Sequence, residues 1–355
     1  MLRGGLTALG SLTLRRVLRR RPSLADISLR TWALCPAEVT RAPPAIYLGD
    51  SLARISGVME DTTLEHELRR IEGGKVEHAA TMVHTVANAR LHRGHLYAGA
   101  WIYPLLERGV RSSPQQPQPW VEKTGALACT LYGNMYFGHW FHDDLTLALA
   151  AGTLDHPVDV ARRPYHHEPG YRQLLGLESR TCTEGMFERI LVLEDVGQNS
   201  FKKRRYQELR ARLRSRFPSD GSSLIYIRRG GLRARERRLL VNGPALERFM
   251  ISRGFRVIDP DVLSSEEIVR QIMGAKIVIG TEGSHMAHAA YTMAENSALC
   301  VLQPPDRFNN VFKDYTDCLD QRYAFVVGTP ADGGFEIQPE ELDRTLALVA
   351  RQVRL

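Results

Sequence analysis

Between Leu224 and Leu302 the sequence repeats one short rhythm, and that rhythm limits the fold more than any other feature. Leu224-Ile225-Tyr226-Ile227, Phe255-Arg256-Val257-Ile258, Lys276-Ile277-Val278-Ile279 and Ala298-Leu299-Cys300-Val301-Leu302 are largely apolar runs of strand length. Helical patterns separate them. The first runs from Pro244 to Arg253 and is closed by Gly254. The second has Ser264 as N-cap, Glu266 and Glu267 in its first turn, and ends near Met273. The third runs from Ser284 to Met293 after a turn at Gly280 to Gly283. Strands that alternate with helices at this spacing pair in parallel, which predicts a doubly wound α/β lobe.

Upstream the pattern is less regular. Residues 40–110 mix short apolar runs with turns at Gly73-Gly74 and Gly94, an α+β lead-in. An apolar run from Ala126 to Tyr132 leads to a Gly133-Asn134 turn, a helical pattern from Phe141 through Ala151, and a buried strand from Arg189 to Leu193. Ser112 to Pro119 reads as a loop, because its prolines cannot sit inside a helix or central strand. Residues 199–216 read as a long basic helix bridging two lobes, and Pro339 to Leu355 as an amphipathic helix packing back on the first lobe. The domain expectation is a basic leader at 1–30, an N-terminal α/β lobe at 31–215, a C-terminal Rossmann-like lobe at 216–335 and the closing helix at 336–355.

Composition narrows the function class. With 355 residues and 43% apolar side chains the chain has material for about two domains, which excludes global disorder, collagen and a disulfide mini-scaffold. The formal charge is +7, from 47 basic and 40 acidic residues. Residues 1–30 hold Arg3, Arg15, Arg16, Arg19, Arg20, Arg21 and Arg30 against Asp26, so six of the seven net charges lie in the leader. A basic leader on a nearly neutral body argues for a membrane surface or targeting role and against nucleic-acid binding; an organellar transit peptide has the same signature. The five cysteines are widely spaced with no C-x-x-C pair, so a reducing compartment is the simplest reading. The apolar stretch Leu6 to Leu14 is too short to span a bilayer, which makes the chain soluble or at most peripheral.

In a parallel sheet ligands bind beyond the carboxyl ends of the strands, so the strand-to-helix turns carry the chemistry. Gly280-Thr281-Glu282-Gly283-Ser284 reads as a phosphate cradle opening into a helix N-terminus, with Glu282 as the residue a plain turn would not require. It lacks both G-x-G-x-x-G and the P-loop Gly-Lys-Ser/Thr. Arg228-Arg229 follows a strand, then Arg237-Arg238 and Asn242; such arginines can fork onto a diphosphate, while a solvated basic loop suits Arg233, Arg235 and Arg237.

The densest polar cluster is Gly133-Asn134-Met135-Tyr136-Phe137-Gly138-His139-Trp140-Phe141-His142-Asp143-Asp144. On a helix beginning near His139, both His142 and Asp143 share its face, which suits a general base acting on a hydroxyl. The same residues suit a divalent metal, with His285 and His288 as a second i,i+3 pair, and hence a hydrolase; a capped helix with core histidines is the bland reading. Asp259-Pro260-Asp261 imitates a metal-binding D-x-D inside a loop.

Taken in order, these pieces resemble the family-61 glycosyltransferases, once a domain of unknown function. The residues that carry the resemblance are Asn134, His139-Trp140-Phe141-His142-Asp143-Asp144, Ile227-Arg228-Arg229, Arg238 through Asn242, Gly254-Phe255-Arg256-Val257-Ile258-Asp259-Pro260 and Val278-Ile279-Gly280-Thr281-Glu282-Gly283-Ser284, within about Ala126 to Gly328. The His-x-Phe-His-Asp-Asp string resembles the branch that adds N-acetylglucosamine to protein O-mannose. The chain is otherwise similar to short bacterial members that accompany capsule or surface-polysaccharide biosynthesis. It departs from the pattern at Glu282-Gly283-Ser284, where the family has His-Gly-Ala, and at His288, where the family has Asn.

The resemblance implies a GT-B-like α/β fold: two Rossmann-like lobes with parallel sheets and a cleft between them. It implies an inverting transfer from a nucleotide-sugar donor, a UDP-sugar, to a hydroxyl of a glycan or lipid-linked glycan acceptor, with no obligatory metal or other cofactor and no nucleic acid. Asp143 is then the base with His142 next to it, Glu282 a third catalytic candidate, and Asp144 a helix-start carboxylate. Arg229, Arg238, Asn242, Gly280, Gly283 and Ser284 hold the donor, and Asn134, His139, Asp144, His285 and His288 line the acceptor side. The departure at Glu282 leaves a catalytically inactive nucleotide-sugar-binding protein as one alternative and the metal-dependent hydrolase as another. The expected location is cytoplasmic, with peripheral contact at the inner face of the plasma membrane.

Overall fold

In a computed structural model the structure describes residues 22–107, 120–219, 221, 223–229 and 239–354. The Arg-rich segment before residue 22, the Ser112 to Pro119 loop and Arg233 to Arg238 lie outside the described residues. The chain divides into two compact units: Met1–Glu38 with His78–Arg205, and Val39–Glu77 with Tyr206–Leu355.

Strands in the first half of the chain are β1 (Ser28–Cys35), β2 (Glu38–Ala42), β3 (Gly74–His78), β4 (Thr81–His92), β5 (His95–Ala98), β6 (Trp101–Pro104), β7 (Trp120–Glu122), β8 (Ala126–Leu127), β9 (Pro157–Val160), β10 (Arg180–Cys182) and β11 (Gly185–Glu194). The first unit is built on a nine-stranded sheet in the order β10-β9-β8-β11-β4-β5-β6, with β1 on β4 and β7 on β11. Its β8, β9, β10, β11 and β7 pair in parallel, whereas β1, β4, β5, β6 and the β11–β4 contact are antiparallel. The sheet is therefore mixed, a correction to the all-parallel expectation for this lobe. The cause is local. Arg93-Gly94 connects β4 to β5 with both residues at positive φ, and Gly99 at φ +56 begins the equally short turn into β6; two-residue turns of this kind force antiparallel hairpins.

One face of this sheet buries Val86, Leu91, Leu96, Leu127, Val158, Phe187, Ile190 and Val192. The other receives the helix Leu145–Leu154: Leu147 and Ala150 meet Val83 and Leu193, while Ala148 and Ala151 meet Ala126 and Ala128. Small side chains on both surfaces let this helix approach the sheet closely. It continues an earlier helical run, from Phe137 through a π-turn at Trp140–Asp144, so the sheet fixes the position of His139 and its neighbours.

In the second unit β12 (Leu224–Ile227), β13 (Arg256–Ile258), β14 (Ile277–Thr281), β15 (Ala298–Gln303) and β16 (Arg322–Val327) form a five-stranded sheet in the order β13-β12-β14-β15-β16. Every pair in it is parallel. Strands β14 and β15 are buried at every position, as expected for a sheet covered on both faces. The helix Ser265–Ile272 starts at a capping box in which Ser264 Oγ accepts from Glu267 N (3.3 Å) and Ser264 N donates to Glu267 Oε2 (2.8 Å). The last helix, Pro339–Val353, presents Leu342, Leu346, Val349 and Val353 to a core shared with Cys300, Leu302 and Val326. That corrects the expectation that it returns to the first lobe: its apolar stripe belongs to the second unit's core.

The segment after β14 also differs from expectation. Gly280 and Thr281 are strand residues, and Ser284–Ala289 is a short 3-10 helix, bonded i to i+3 through Met286 N to Gly283 O (3.0 Å). Met286, Ala287, His288 and Ala289 are all buried, so there is no solvent face for a full amphipathic helix.

Candidate functional site

The first unit's polar cluster forms around the start of the Phe137 helix. Thr130 caps the short helix Leu131–Met135, its hydroxyl accepting from Gly133 N at 2.9 Å, so Gly133-Asn134 lies inside a helix and not in a free turn. Thr130 Oγ1 donates in turn to Asp144 Oδ1 at 2.8 Å. Burial, with the nearby Asp159 adding repulsion, pushes the Asp144 carboxyl well above the usual carboxylate range despite the Thr130 bonds. Asp144 is thus a buried latch between two helices and not the dipole-stabilised helix-start carboxylate expected. Gly133 is required beside it, because a Cβ there would lie 1.9 Å from Asp144 Oδ2.

His139 and Asp143 are half-buried and bonded to each other, Nδ1 to Oδ2 at 2.9 Å. The other oxygen, Asp143 Oδ1, accepts from Lys202 Nζ at 3.2 Å. Lys202 is 1% exposed. Its ammonium is also 3.8 Å from Asp195 Oδ2, and Asp195 is gripped by Arg205 through two bonds of 2.8 Å. Burial alone would raise the Asp143 pKa; Lys202 and the His139 bond outweigh it and hold the carboxylate far below its ordinary range. A carboxylate held this firmly as an anion is a poor proton acceptor but a good orienter of an imidazole. His142 differs from both: it is 1% exposed, and burial drops its pKa to about 3, so it stays neutral in the interior against the Phe141 ring. The expectation that His142 shares the working face with His139 and Asp143 is corrected by this burial.

In the second unit the first strand of the sheet, β12, lies between β13 and β14, which makes the β12/β14 boundary the point where strand order reverses. Arg229 follows β12 and Glu282-Gly283 follows β14, side by side at the carboxyl ends. Arg229 donates through Nη1 to the Glu282 carbonyl. Gly283 has φ +147, and a Cβ on it would lie 2.1 Å from Arg229 Nη1 and 3.3 Å from His285 Nδ1, so the glycine makes room for both side chains. Glu282 is 4% exposed; its Oε2 accepts from Arg307 Nη1 at 2.7 Å and Oε1 from Asn309 Nδ2 at 3.4 Å. Among the catalytic candidates Glu282 is therefore a partner of Arg307, buried under the turn.

Other expected donor residues have structural occupations. Gly280 is packed under Met286, whose Sδ would lie 2.3 Å from a Cβ. The Asn242 side chain bridges to Ile337, donating to its carbonyl at 2.8 Å and accepting from its N–H at 3.2 Å. Arg228 forks onto Glu247 (2.8 and 2.6 Å) and reaches Asp259 at 3.1 Å, which accounts for the first acid of Asp259-Pro260-Asp261. Ser284 and His285 are half-buried while His288 is buried, and Arg238 lies outside the described residues. The helix-dipole contribution expected at Ser284 is absent from a six-residue 3-10 turn.

Asn134 belongs to a different network, donating to Leu105 O (2.9 Å) and accepting from Arg162 Nε (2.7 Å). Lys202, Asp195, Arg307 and Asn309 were not singled out in the sequence. Lys202 sits in the basic helix, where its neighbours mask it; Arg307 follows β15, where the rule of strand ends points.

Among the described residues no group of three or more His, Cys, Asp or Glu side chains is placed to hold a metal ion, which leaves the His139, His142, Asp143 metal reading without a geometry. Nor is any described helix long and apolar enough to cross a membrane. No curated protein matches the chain. Residues 137–300, which carry both His139-Asp143 and the Arg229/Gly283 turn, match the family model for Glycosyltransferase 61. Over that segment the chain is similar to the glycosyltransferase 61 family.

Proposed function

We propose that the protein is an inverting glycosyltransferase that moves a sugar from a nucleotide-sugar, a UDP-sugar, to a hydroxyl of a glycan or lipid-linked glycan acceptor. The observation that carries the reading is the His139–Asp143–Lys202 chain within the matched segment: an imidazole whose Nδ1 is bonded to a carboxylate (2.9 Å) that a buried ammonium keeps ionised (3.2 Å). In this mechanism Asp143 orients the ring so that His139 Nε2 takes the acceptor hydroxyl proton. The acceptor oxygen then forms its bond to the anomeric carbon from the face opposite the leaving group, and the bond from that carbon to the diphosphate oxygen breaks, with inversion. Arg229, at the switch point of the parallel sheet, balances the charge that develops on the departing nucleoside diphosphate. Arg238 is a further candidate there on sequence grounds. The base is thereby moved from Asp143, the sequence-based choice, to His139.

The finer expectations belong to the same proposal. A GT-B class is supported by the five-stranded parallel sheet of the second unit and the parallel run β8 to β11 in the first. A role in capsule or surface-polysaccharide biosynthesis at the inner face of the plasma membrane is supported by the arginines of residues 1–30. The experiment is to incubate the protein with a panel of nucleotide-sugars and glycan acceptors, with and without chelator, and follow nucleoside diphosphate release and product configuration. Chelator-insensitive release coupled to an inverted glycoside supports the reading. Donor binding with no transfer to any acceptor, or activity abolished by chelator, contradicts it.

A further inference from the structure

An exposed apolar side chain by itself needs no explanation, and Leu29, Val196, Ile251 and Val262 are of that kind. Tyr132 differs from them in its neighbour. It is 48% exposed, and its ring lies beside the His139 imidazole, with centroids 5.6 Å apart and planes tilted by 44°. Tyr136 meets the same imidazole at 6.0 Å and 56°. At these angles the imidazole lies flat on neither phenol ring, so it does not cover their faces. The His139 and Asp143 side chains keep 29% and 24% of their surface, so a molecule from solvent reaches them as it does not reach the buried His142.

The local fold holds these rings in place. Thr130 caps the helix Leu131–Met135, and Gly133 packs inward on Asp144. Tyr132, one position earlier, is turned about 100° from Gly133 and so away from that contact. Its carbonyl accepts from Tyr136 N at 2.9 Å, and the Tyr136 carbonyl accepts from Trp140 N at 3.0 Å. Trp140 is buried, which ties both tyrosines to the core. Rings held on short helices with a buried anchor form a platform whose position is set before any ligand arrives.

The base defines what that platform meets. The group whose hydroxyl His139 deprotonates lies against the imidazole and therefore within reach of the Tyr132 ring. A pyranose has a flat side of C–H bonds with a small positive polarisation, and this side suits the negative face of an aromatic ring. The same face repels a phosphate or a carboxylate. A serine or threonine of a peptide brings the hydroxyl but no ring to stack. A nucleobase would stack, but the hydroxyl that His139 serves is the acceptor's.

We infer that Tyr132, with Tyr136 as a second ring, is the shelf on which the acceptor's sugar ring stacks, and that it selects a pyranose over a peptide hydroxyl. The inference rests on the reading of His139 as the base of sugar transfer.

The test uses the full chain with UDP-sugars as donors. The acceptors are methyl glycosides of glucose, galactose, mannose, xylose and N-acetylglucosamine, with a peptide containing serine and threonine as control. Donor KM, acceptor KM and kcat are read from UDP release for wild type, Tyr132→Ala and Tyr132→Phe. Glycoside binding is read separately by saturation-transfer NMR in the presence of UDP. Tyr132 is an exposed position, so its truncation leaves the fold intact, and circular dichroism checks this. At least one glycoside is expected to bind and to accept sugar. Tyr132→Ala should raise its KM and weaken its binding about threefold to tenfold, the worth of one stacked ring, with donor KM close to wild type. Tyr132→Phe, which keeps the ring, should restore both.

Binding of none of the glycosides overturns the inference, as does preference for the peptide. Unchanged acceptor binding in Tyr132→Ala, a rise in donor KM in its place, or Tyr132→Phe as poor as Tyr132→Ala also overturns it. The two readings fail separately. Glycoside binding that Tyr132→Ala loses, without turnover in any protein, upholds the shelf and refutes the transferase. Turnover with an acceptor KM that Tyr132→Ala leaves unchanged does the reverse.

Discussion

Lys202 Nζ lies 3.2 Å from Asp143 Oδ1 in the interior of the first unit, and the same ammonium faces Asp195 at 3.8 Å. One buried cation thus stands between two carboxylates, and removing it leaves Asp143 without its ammonium while Asp195 keeps Arg205. Lys202→Met should therefore destabilise the protein by about 3–5 kcal/mol, the cost of breaking a buried ion pair from one side. It should also raise the Asp143 pKa, since Lys202 is the largest influence holding it down. Chemical denaturation and a pH titration of the His139–Asp143 pair by NMR check both effects. A variant as stable as wild type contradicts this reading of Lys202.

The contact between Gly133 and Asp144 makes a steric prediction. With a Cβ 1.9 Å from a carboxylate oxygen that is itself tied to Thr130, neither side can yield easily. Gly133→Ala should cost about 1–3 kcal/mol by overpacking, seen as a lower denaturation midpoint. Combining it with Asp144→Ser should recover part of that loss, and strict additivity of the two would contradict the contact.

His142 gives a pH dependence with a definite sign. Its pKa is depressed from 6.5 to about 3, so between those values the unfolded chain binds a proton the folded chain does not. Stability from this group is full above about pH 6.5 and falls as pH drops towards 3, by at most about 1.4 kcal/mol per pH unit. Asp143, with its lowered pKa, acts in the same direction at lower pH, and Asp144, with its raised pKa, acts in the opposite one. The difference between wild type and His142→Phe isolates the imidazole: the stability of wild type minus that of the variant should fall as pH drops from about 7 to 4. Parallel stability curves would contradict a buried neutral ring.

At the second unit's switch point, Arg229→Ala should weaken nucleoside diphosphate binding by about 1.5–3 kcal/mol, the worth of a charged hydrogen bond. Gly283→Ala should weaken it too, because the added methyl occupies the place of the Arg229 guanidinium. Calorimetry with UDP reads both. Unchanged affinity in both variants removes Arg229 from the donor site.

The second unit was the more legible part of the sequence. Leu224 to Ile227 and the Ser264 N-cap are found where expected, because buried parallel strands are simple apolar runs and caps are local chemistry. The antiparallel half of the first unit was not, since Arg93 at positive φ is no common turn signal. In the site, the i,i+4 relation of His139 and Asp143 was visible. Which of His142, Asp143 and Asp144 faces inward was not: adjacent helix positions point about 100° apart, and only the sheet beneath decides which is buried. Lys202 and Asp195 reach Asp143 from distant sequence, and no local pattern announces such contacts.

The central claim is that His139, oriented by Asp143, takes the acceptor proton. The direct measurement is kcat and donor affinity for wild type, His139→Gln, Asp143→Asn and Glu282→Gln under identical conditions. The account predicts that His139→Gln loses about 100- to 10,000-fold in kcat with donor affinity little changed, that Asp143→Asn also falls, and that Glu282→Gln keeps most of its turnover. Near-normal turnover in His139→Gln together with its loss in Glu282→Gln would place the base on the turn after β14 and contradict the account.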